Sequence, residues 1–164
     1  VAVLAAIFVV ATSRVYQIPT VPTWNNSYTM INFVLTAFLG GPILAALLLR
    51  VAGFDLQCIR RLPALSAIAL LVSAAAAISQ GFDLASIETA VQKATDLVPD
   101  YGFLMDIKIV AVAMGLGCWI MPLIAKRNPS VINLGFGTLL VLAGEIVGRG
   151  VFYGLHMTVG MAVN

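Results

Sequence analysis

The sequence predicts an all-α fold: a polytopic transmembrane helical bundle with four full spans and a partial span at the N-terminus. The 164 residues are 61% hydrophobic and only 10% charged, whereas a soluble domain is about 45–50% apolar and about 25% charged. Four apolar segments approach or exceed the roughly 20 residues that a helix needs to cross a bilayer. Neither an alternating strand pattern nor a nucleic-acid-binding signature interrupts these segments.

The predicted elements follow one another with short connections. In order along the sequence they are a partial span at residues 1–16, a second span at 28–52, a third at 63–80, a polar loop at 81–102, a fourth span at 103–125 and a fifth from 131 to about 158. The first is too short for a full span, so we expect it to be the second part of a longer helix. In the second, Gly40-Gly41-Pro42 predicts a kink or a close helix contact.

The polar loop at residues 81–102 is the longest connection and is rich in acids. Ile87, Val91 and Leu97-Val98 are spaced as in a short amphipathic helix that lies on a membrane surface. We therefore expect one transmembrane domain over residues 1–164 with a probable surface helix in this loop.

The ends of the fourth and fifth spans carry polar residues with a structural interpretation. Asp106 and Lys108 fall in the first turns of the fourth span, where an acid suits the helix dipole. Ser130 is a predicted N-cap of the fifth span, because its hydroxyl can accept a bond from a free backbone N–H.

Basic residues concentrate in the connections after the second and fourth spans. Those connections carry Arg50, Arg60, Arg61, Lys126 and Arg127. The loops after the first and third spans carry Arg14 and Lys93, with acids in excess. The positive-inside rule places the first set in the cytoplasm. The loop at residues 81–102 and the C-terminus are then predicted to be periplasmic.

The two cysteines do not predict a metal site. Cys58 lies in a basic loop and Cys118 lies inside an apolar segment. Neither has CxxC spacing or a nearby histidine. We therefore expect no metal.

The last span combines ionisable residues with an apolar sequence. A helix turns about 100° per residue, so Glu145, Arg149, Phe152 and His156 share one face, with Tyr153 at its edge. Glu before Arg at i,i+4 predicts a structural ion pair, which must face the bundle interior or a watery cavity. Two interpretations stay open: a clip between helices or a functional site. His156 lies near the membrane exit, where an ordinary solvated histidine is also expected.

Three stretches together resemble one family. They are YQIPTVPTWNNSYT at residues 16–29, ASIETAVQKATDLVPDYG at 85–102 and AGEIVGRGVFYGLHMTVGMA at 143–162. They resemble the C-terminal half of the membrane-anchor subunit of bacterial anaerobic dimethyl-sulfoxide reductases, and the similarity extends over essentially the whole sequence. The resemblance implies a longer protein of eight spans, with the first three and part of the fourth upstream of residue 1.

The resemblance implies a function that composition does not. Such a subunit anchors an iron–sulfur electron-transfer subunit and a molybdopterin catalytic subunit to the bacterial inner membrane. It oxidises menaquinol, its substrate, and carries no permanently bound cofactor, since the molybdopterin and the iron–sulfur clusters belong to the partners. A family histidine important for quinol oxidation lies in the N-terminal half. The quinol site is therefore expected to be incomplete in this sequence.

On this resemblance Glu145, Arg149, Tyr153 and His156 are candidates for quinol binding or for a proton route. Two other functions stay open. One is half of a helical transporter, for which Gly40-Gly41-Pro42 is a candidate helix break near the bilayer midplane. The other is a purely structural anchor with no quinone contact. The expected partners are the two subunits, quinone and membrane lipid, and no nucleic acid.

Overall fold

The computed structural model describes residues 2–59, 61–89 and 92–157. Within them the protein forms six α-helices and one 3-10 turn at Leu56–Ile59. The helices are α1 Ala2–Tyr16, α2 Ser27–Val51, α3 Leu62–Leu84, α4 Ala94–Leu97, α5 Tyr101–Ile124 and α6 Val131–Gly154. Four of them, α2, α3, α5 and α6, are long and apolar enough to cross a membrane, and α1 is a shorter apolar helix. The predicted fold class is confirmed.

Side-chain caps define the start of two of the spanning helices. Asn26 precedes α2 and its side chain accepts a bond from the backbone N of Thr29, at 3.3 Å. Ser130 precedes α6 and its Oγ accepts from the backbone N of Asn133, at 3.1 Å. The N-cap predicted at Ser130 is therefore confirmed.

The end of α5 is closed by backbone bonds. Arg127 N donates to Pro122 O at 2.8 Å and Lys126 N donates to Leu123 O at 3.1 Å, which is the Schellman arrangement. Lys126 has a φ of 54° there. Glycine is usual at this position, because an L side chain costs roughly 1–2 kcal/mol in the left-handed conformation.

Helices α5 and α6 pack backbone to backbone. A Cβ added to Gly115 or to Gly137 would lie 2.5 Å from the carbonyl oxygen of the other. A Cβ added to Gly144 would lie 2.8 Å from the carbonyl oxygen of Lys108. Small residues permit this approach between helices in lipid.

Of the kink or close helix contact predicted at Gly40-Gly41-Pro42, the described residues show no close contact, and the kink stays a prediction. A Cβ at Gly40 or Gly41 would meet no atom within 4 Å, and α2 continues through Pro42. The reason is helical geometry: the buried stripe of α2 is formed by Leu35, Leu39, Ile43 and Ala46, and the two glycines lie beside it. The unbroken α2 also lacks the helix break on which the transporter interpretation relied.

The polar loop packs on the end of the bundle. Helix α3 extends to Leu84, one turn beyond the prediction, and α4 is a single turn. Ile87, Leu97 and Val98 pack against a small core that includes Val151 and Leu155. The amphipathic helix is thus reduced to one turn, because the apolar side chains of the loop are covered by the bundle itself. Val91 lies outside the described residues.

The two basic connections contact each other at the opposite end of the bundle. Gln57 Nε2 donates to Arg127 O at 2.8 Å, and Leu56 N donates to Asn128 Oδ1 at 3.1 Å. Hydrogen bonds from the Gln57 backbone and the Asn128 side chain lower the pKa of Asp55 below its ordinary value. Both connections therefore lie at one end, as the predicted topology requires. Arg60 lies outside the described residues, and the membrane side stays a prediction.

Candidate functional site

A buried ion pair joins the two most tightly packed helices. Glu145 of α6 and Lys108 of α5 are each 6% exposed, and Lys108 Nζ lies 3.5 Å from Glu145 Oε1. Thr36 Oγ1 of α2 is 2.5 Å from Glu145 Oε2 and 2.9 Å from the carbonyl oxygen of Asn32. Three helices therefore meet at one carboxylate.

A glycine makes the space for the lysine. A Cβ on Gly148 would lie 2.8 Å from Lys108 Cδ and 3.1 Å from Lys108 Nζ. Gly148 stands one turn after Gly144 on the α6 face that contacts α5. Together the two glycines let the Lys108 side chain pass between the helices to reach Glu145.

The polar layer continues into α3. Asn32 Nδ2 donates to Gln80 Oε1 at 3.2 Å, and Gln80 and Ser73 are both buried. Tyr101, the first residue of α5, donates its hydroxyl to the carbonyl oxygen of Ala77 at 2.9 Å. Amide, hydroxyl and charged groups from four helices thus lie inside an otherwise apolar bundle.

These groups surround a small internal cavity of about 30 Å³. A cavity needs about 10–15 Å³ to hold a water molecule, so it has room for one or two. Its polar lining is formed by Asn32, Thr36, Ser73, Gln80, Tyr101, Lys108, Glu145 and Arg149. Glu145 Oε1 is buried and accepts no hydrogen bond from the described residues. The cavity therefore fits water and has an acceptor with free capacity.

The structure pairs Glu145 with Lys108, and not with Arg149 as the sequence predicted. The guanidinium carbon of Arg149 lies 3.8 Å from the centre of the Phe33 ring, a cation–π contact. The two side chains share a helix face, but Glu145 extends toward Lys108 and Thr36 while Arg149 covers Phe33 on α2. Among the described residues no ion pair joins Glu145 to Arg149. Both still line the same cavity.

Tyr153 and His156 lie in an aromatic cluster at the end of the bundle. Tyr16 and Tyr153 hydroxyls are 3.1 Å apart. Trp24 stacks on Phe152 with ring centres 5.0 Å apart, and its ring centre is 4.8 Å from that of His156. Tyr153 is 50% exposed and His156 is also exposed. The four predicted site residues therefore divide into two at the cavity and two at the aromatic end.

Lys108 and Thr36 are the site residues that the sequence interpretation missed. Lys108 was expected in the first turns of its span. It stands seven residues after Tyr101, where α5 begins, and a rise of about 1.5 Å per residue puts it roughly 10 Å along the axis. The available signal was a lysine inside an apolar run, opposite a glycine-rich span that contains a glutamate.

The chemistry of this site is that of proton and charge handling. Among residues 2–59, 61–89 and 92–157 no group of three or more His, Cys, Asp or Glu side chains is placed to hold a metal ion. A carboxylate beside an ammonium, a hydroxyl and a water-sized cavity can accept, hold and release a proton.

A family model described as DMSO reductase anchor subunit (DmsC) matches residues 1–155. The C subunit of the anaerobic dimethyl sulfoxide reductase of Escherichia coli (strain K12) is 52% identical over 162 residues, which are 98% of this sequence and 56% of that protein. The YnfH subunit of an anaerobic dimethyl sulfoxide reductase of the same strain is 49% identical over 160 residues, which are 98% and 56% of the two sequences. The corresponding C subunit of Haemophilus influenzae is 38% identical over 163 residues, which are 99% and 56%.

The protein spans about half the length of the curated relatives that it matches. No solved structure gives a significant match.

Proposed function

The chain belongs to the family of DMSO reductase anchor subunits, and from this membership we propose that it is part of a menaquinol-oxidising membrane anchor in the bacterial inner membrane. The complete anchor passes electrons from menaquinol to an iron–sulfur subunit, which delivers them to a molybdopterin catalytic subunit that reduces a sulfoxide or N-oxide. Four membrane-spanning helices support the anchoring role.

The buried Glu145–Lys108 pair is the observation that carries the quinol part of the proposal. Oxidation of menaquinol to menaquinone releases two electrons and two protons, and the protons must leave an apolar bundle. Glu145 Oε1 faces a cavity that fits water and lies 3.5 Å from Lys108 Nζ. The carboxylate accepts a proton there, and the ammonium balances its charge when the proton has left.

The cavity is small and its lining carries charged and polar groups. Its volume of about 30 Å³ has room for one or two water molecules, and its polar lining includes Lys108 and Glu145, which can hold and pass a proton. We therefore place the menaquinol ring outside this cavity, against the upstream part of the anchor. The residues of this half serve the proton side of the reaction.

Arg149, Tyr153 and His156 extend the proton route toward the predicted periplasmic end. Arg149 lines the cavity and covers Phe33, which contacts Tyr16. The Tyr16 hydroxyl lies 3.1 Å from that of Tyr153, and Tyr153 and His156 are exposed. We propose that protons leave the cavity toward this end of the bundle, with Arg149 at the cavity and His156 as the outermost group; the Phe33 ring itself carries no proton.

The test removes both buried charges together in the full-length subunit within its complex. In the variant Lys108→Met with Glu145→Gln no charge is left unpaired, so assembly is expected to stay normal by immunoblot of the partner subunits. Because general acid–base groups contribute about 10²–10⁴-fold, quinol-driven substrate reduction by membranes should fall at least tenfold. Reduction driven by an artificial donor that bypasses the anchor should be unchanged.

Asp106→Asn is the matched control, because Asp106 is an exposed acid on the same helix and does not line the cavity. Its quinol-driven rate should equal that of the wild type. A double variant that assembles and oxidises quinol at the wild-type rate would remove the pair from the proton route. Loss of assembly together with both activities would favour the purely structural anchor.

A further inference from the structure

A groove runs between the start of α3 and the end of α5. Its volume is about 380 Å³. Arg61 and Lys126 line its mouth, Ala64 and Ala67 line the α3 side, and apolar residues of α5 such as Ile120 line the other. The groove is thus cationic at one end and apolar along its length.

The two cations lie at the level where the helices leave the apolar layer. Arg61 immediately precedes Leu62, the first residue of α3. Lys126 comes two residues after Ile124, the last residue of α5. Because both residues flank the ends of membrane-spanning helices, we expect their side chains at the depth of lipid headgroups. Ile124, on the apolar side of Lys126, is 70% exposed.

The positive charges of Arg61 and Lys126 have no acidic partner among the described residues that line the groove. Asp55, an acid of the same end, is bonded to Gln57 N at 2.8 Å and lies near Arg50. The mouth of the groove is therefore complementary to an anion.

Lys126 occupies a backbone position that usually holds glycine. Its φ of 54° closes the Schellman turn after α5, and glycine adopts that conformation without steric conflict. A lysine there is not required by the turn, which points to a role for the side chain.

We propose that this groove binds an anionic phospholipid, whose phosphate lies between Arg61 and Lys126 and whose acyl tail follows the apolar walls. Basic pockets between transmembrane helices on the cytoplasmic side bind anionic headgroups in this way. The apolar length below the cations selects a lipid over free phosphate. The site is independent of the quinol chemistry, because it lies at the opposite end of the bundle from the aromatic cluster.

The test is native mass spectrometry of the purified full-length complex with phosphatidylglycerol or phosphatidylcholine of matched acyl tails. Each basic residue contributes about 1 kcal/mol to anionic-lipid binding, which corresponds to about fivefold in affinity. Arg61→Gln and Lys126→Gly should each lower phosphatidylglycerol affinity about fivefold, and the double variant about 25-fold. Phosphatidylcholine binding should be weak in all of them.

Lys126→Gly is useful because it removes the cation while keeping the turn, so the variant should fold. Arg127→Gln is the control, since it loses one charge at the same end but does not line the groove. A loss of affinity in Arg127→Gln equal to that in Lys126→Gly would show a general surface potential and overturn the site. So would equal binding of both lipids, displacement by an equal concentration of inorganic phosphate, or no lipid binding because another part of the anchor fills the groove.

Discussion

At Glu145 and Lys108 the bundle holds two opposite charges away from water. Ionised side chains inside a membrane protein are costly and are usually paired or functional. The two charges lie 3.5 Å apart and partly compensate each other. The Thr36 hydroxyl also donates a hydrogen bond to Glu145. Glycine at position 148 is less favourable for the helix than alanine, but it leaves the space that the Lys108 side chain occupies. The hydrogen bond from Thr36 and the space at Gly148 thus stabilise the ion pair.

Breaking the pair should cost more than removing it. Glu145→Gln leaves the Lys108 ammonium unpaired, and Lys108→Met leaves the carboxylate unpaired. Loss of one partner costs about 3–5 kcal/mol in soluble proteins, and less in a membrane, where water defects help. Each single variant should lower the thermal transition of the detergent-solubilised complex, and the double variant should recover most of it.

The single and double variants of Lys108 and Glu145 form one double-mutant cycle. A second cycle, for comparison, combines Glu145→Gln with Arg149→Gln. Because Arg149 stacks on Phe33 and is not ion-paired with Glu145, the coupling between these two substitutions should be smaller than the coupling between Lys108 and Glu145, although both residues line one cavity. Strong coupling in this second cycle, with none between Lys108 and Glu145, would contradict the observed pairing.

Between the elements, the α5–α6 contact depends on glycines whose environments differ. A Cβ at Gly144 would lie 2.8 Å from the carbonyl oxygen of Lys108. Because this is a backbone atom, it cannot move aside as a flexible side chain can. A Cβ at Gly148 would meet the Lys108 side chain, which can move. A Cβ at Gly150 would meet no atom within 4 Å. The three positions therefore form a graded series.

Gly144→Ala should be the most damaging of the series. Overpacking typically costs about 1–3 kcal/mol, so we expect a clear drop in the thermal transition of the complex. Gly148→Ala should cost less, but it should displace Lys108 from Glu145 and slow quinol oxidation. Gly150→Ala is the control and should be neutral or slightly stabilising, because alanine favours a helix over glycine by about 0.5–1 kcal/mol. A reversed order would contradict the described packing.

At the scale of the whole molecule the two ends differ in chemistry. One end carries the bonded basic connections and the lipid groove. The other carries the aromatic cluster around Trp24 and the polar loop packed on α6. The positive-inside rule predicts that the basic end is cytoplasmic, and this orientation stays a prediction.

Cysteine labelling tests that orientation. Cys58 is exposed in the connection after α2, so a membrane-impermeant maleimide should label it only after the inner membrane is opened. Ala85, exposed at the end of α3, is the opposite probe: Ala85→Cys in a Cys58→Ser background should be labelled from the periplasm. The inverse pattern would reverse the topology and place the proposed lipid groove in the periplasmic leaflet.

The sequence by itself determined the fold class, the membrane-spanning helices and the approximate bounds of each helix. Long apolar segments, the Ser130 cap and the grouping of basic residues are local signals, and the spanning helices begin and end within a few residues of the predictions. Helical periodicity also placed Glu145 and Arg149 on one face, and both line one cavity.

Only the tertiary structure decided which groups meet. The partner of Glu145 depends on how α5 packs on α6, and that register follows from glycine contacts such as Gly115 with Gly137. The same packing brought Lys108 into the core and left space beside Gly40-Gly41 among the described residues. Periodicity describes a single helix, whereas a contact between helices depends on the depth and rotation of both. The pairing of the buried charges was therefore beyond what the sequence could show.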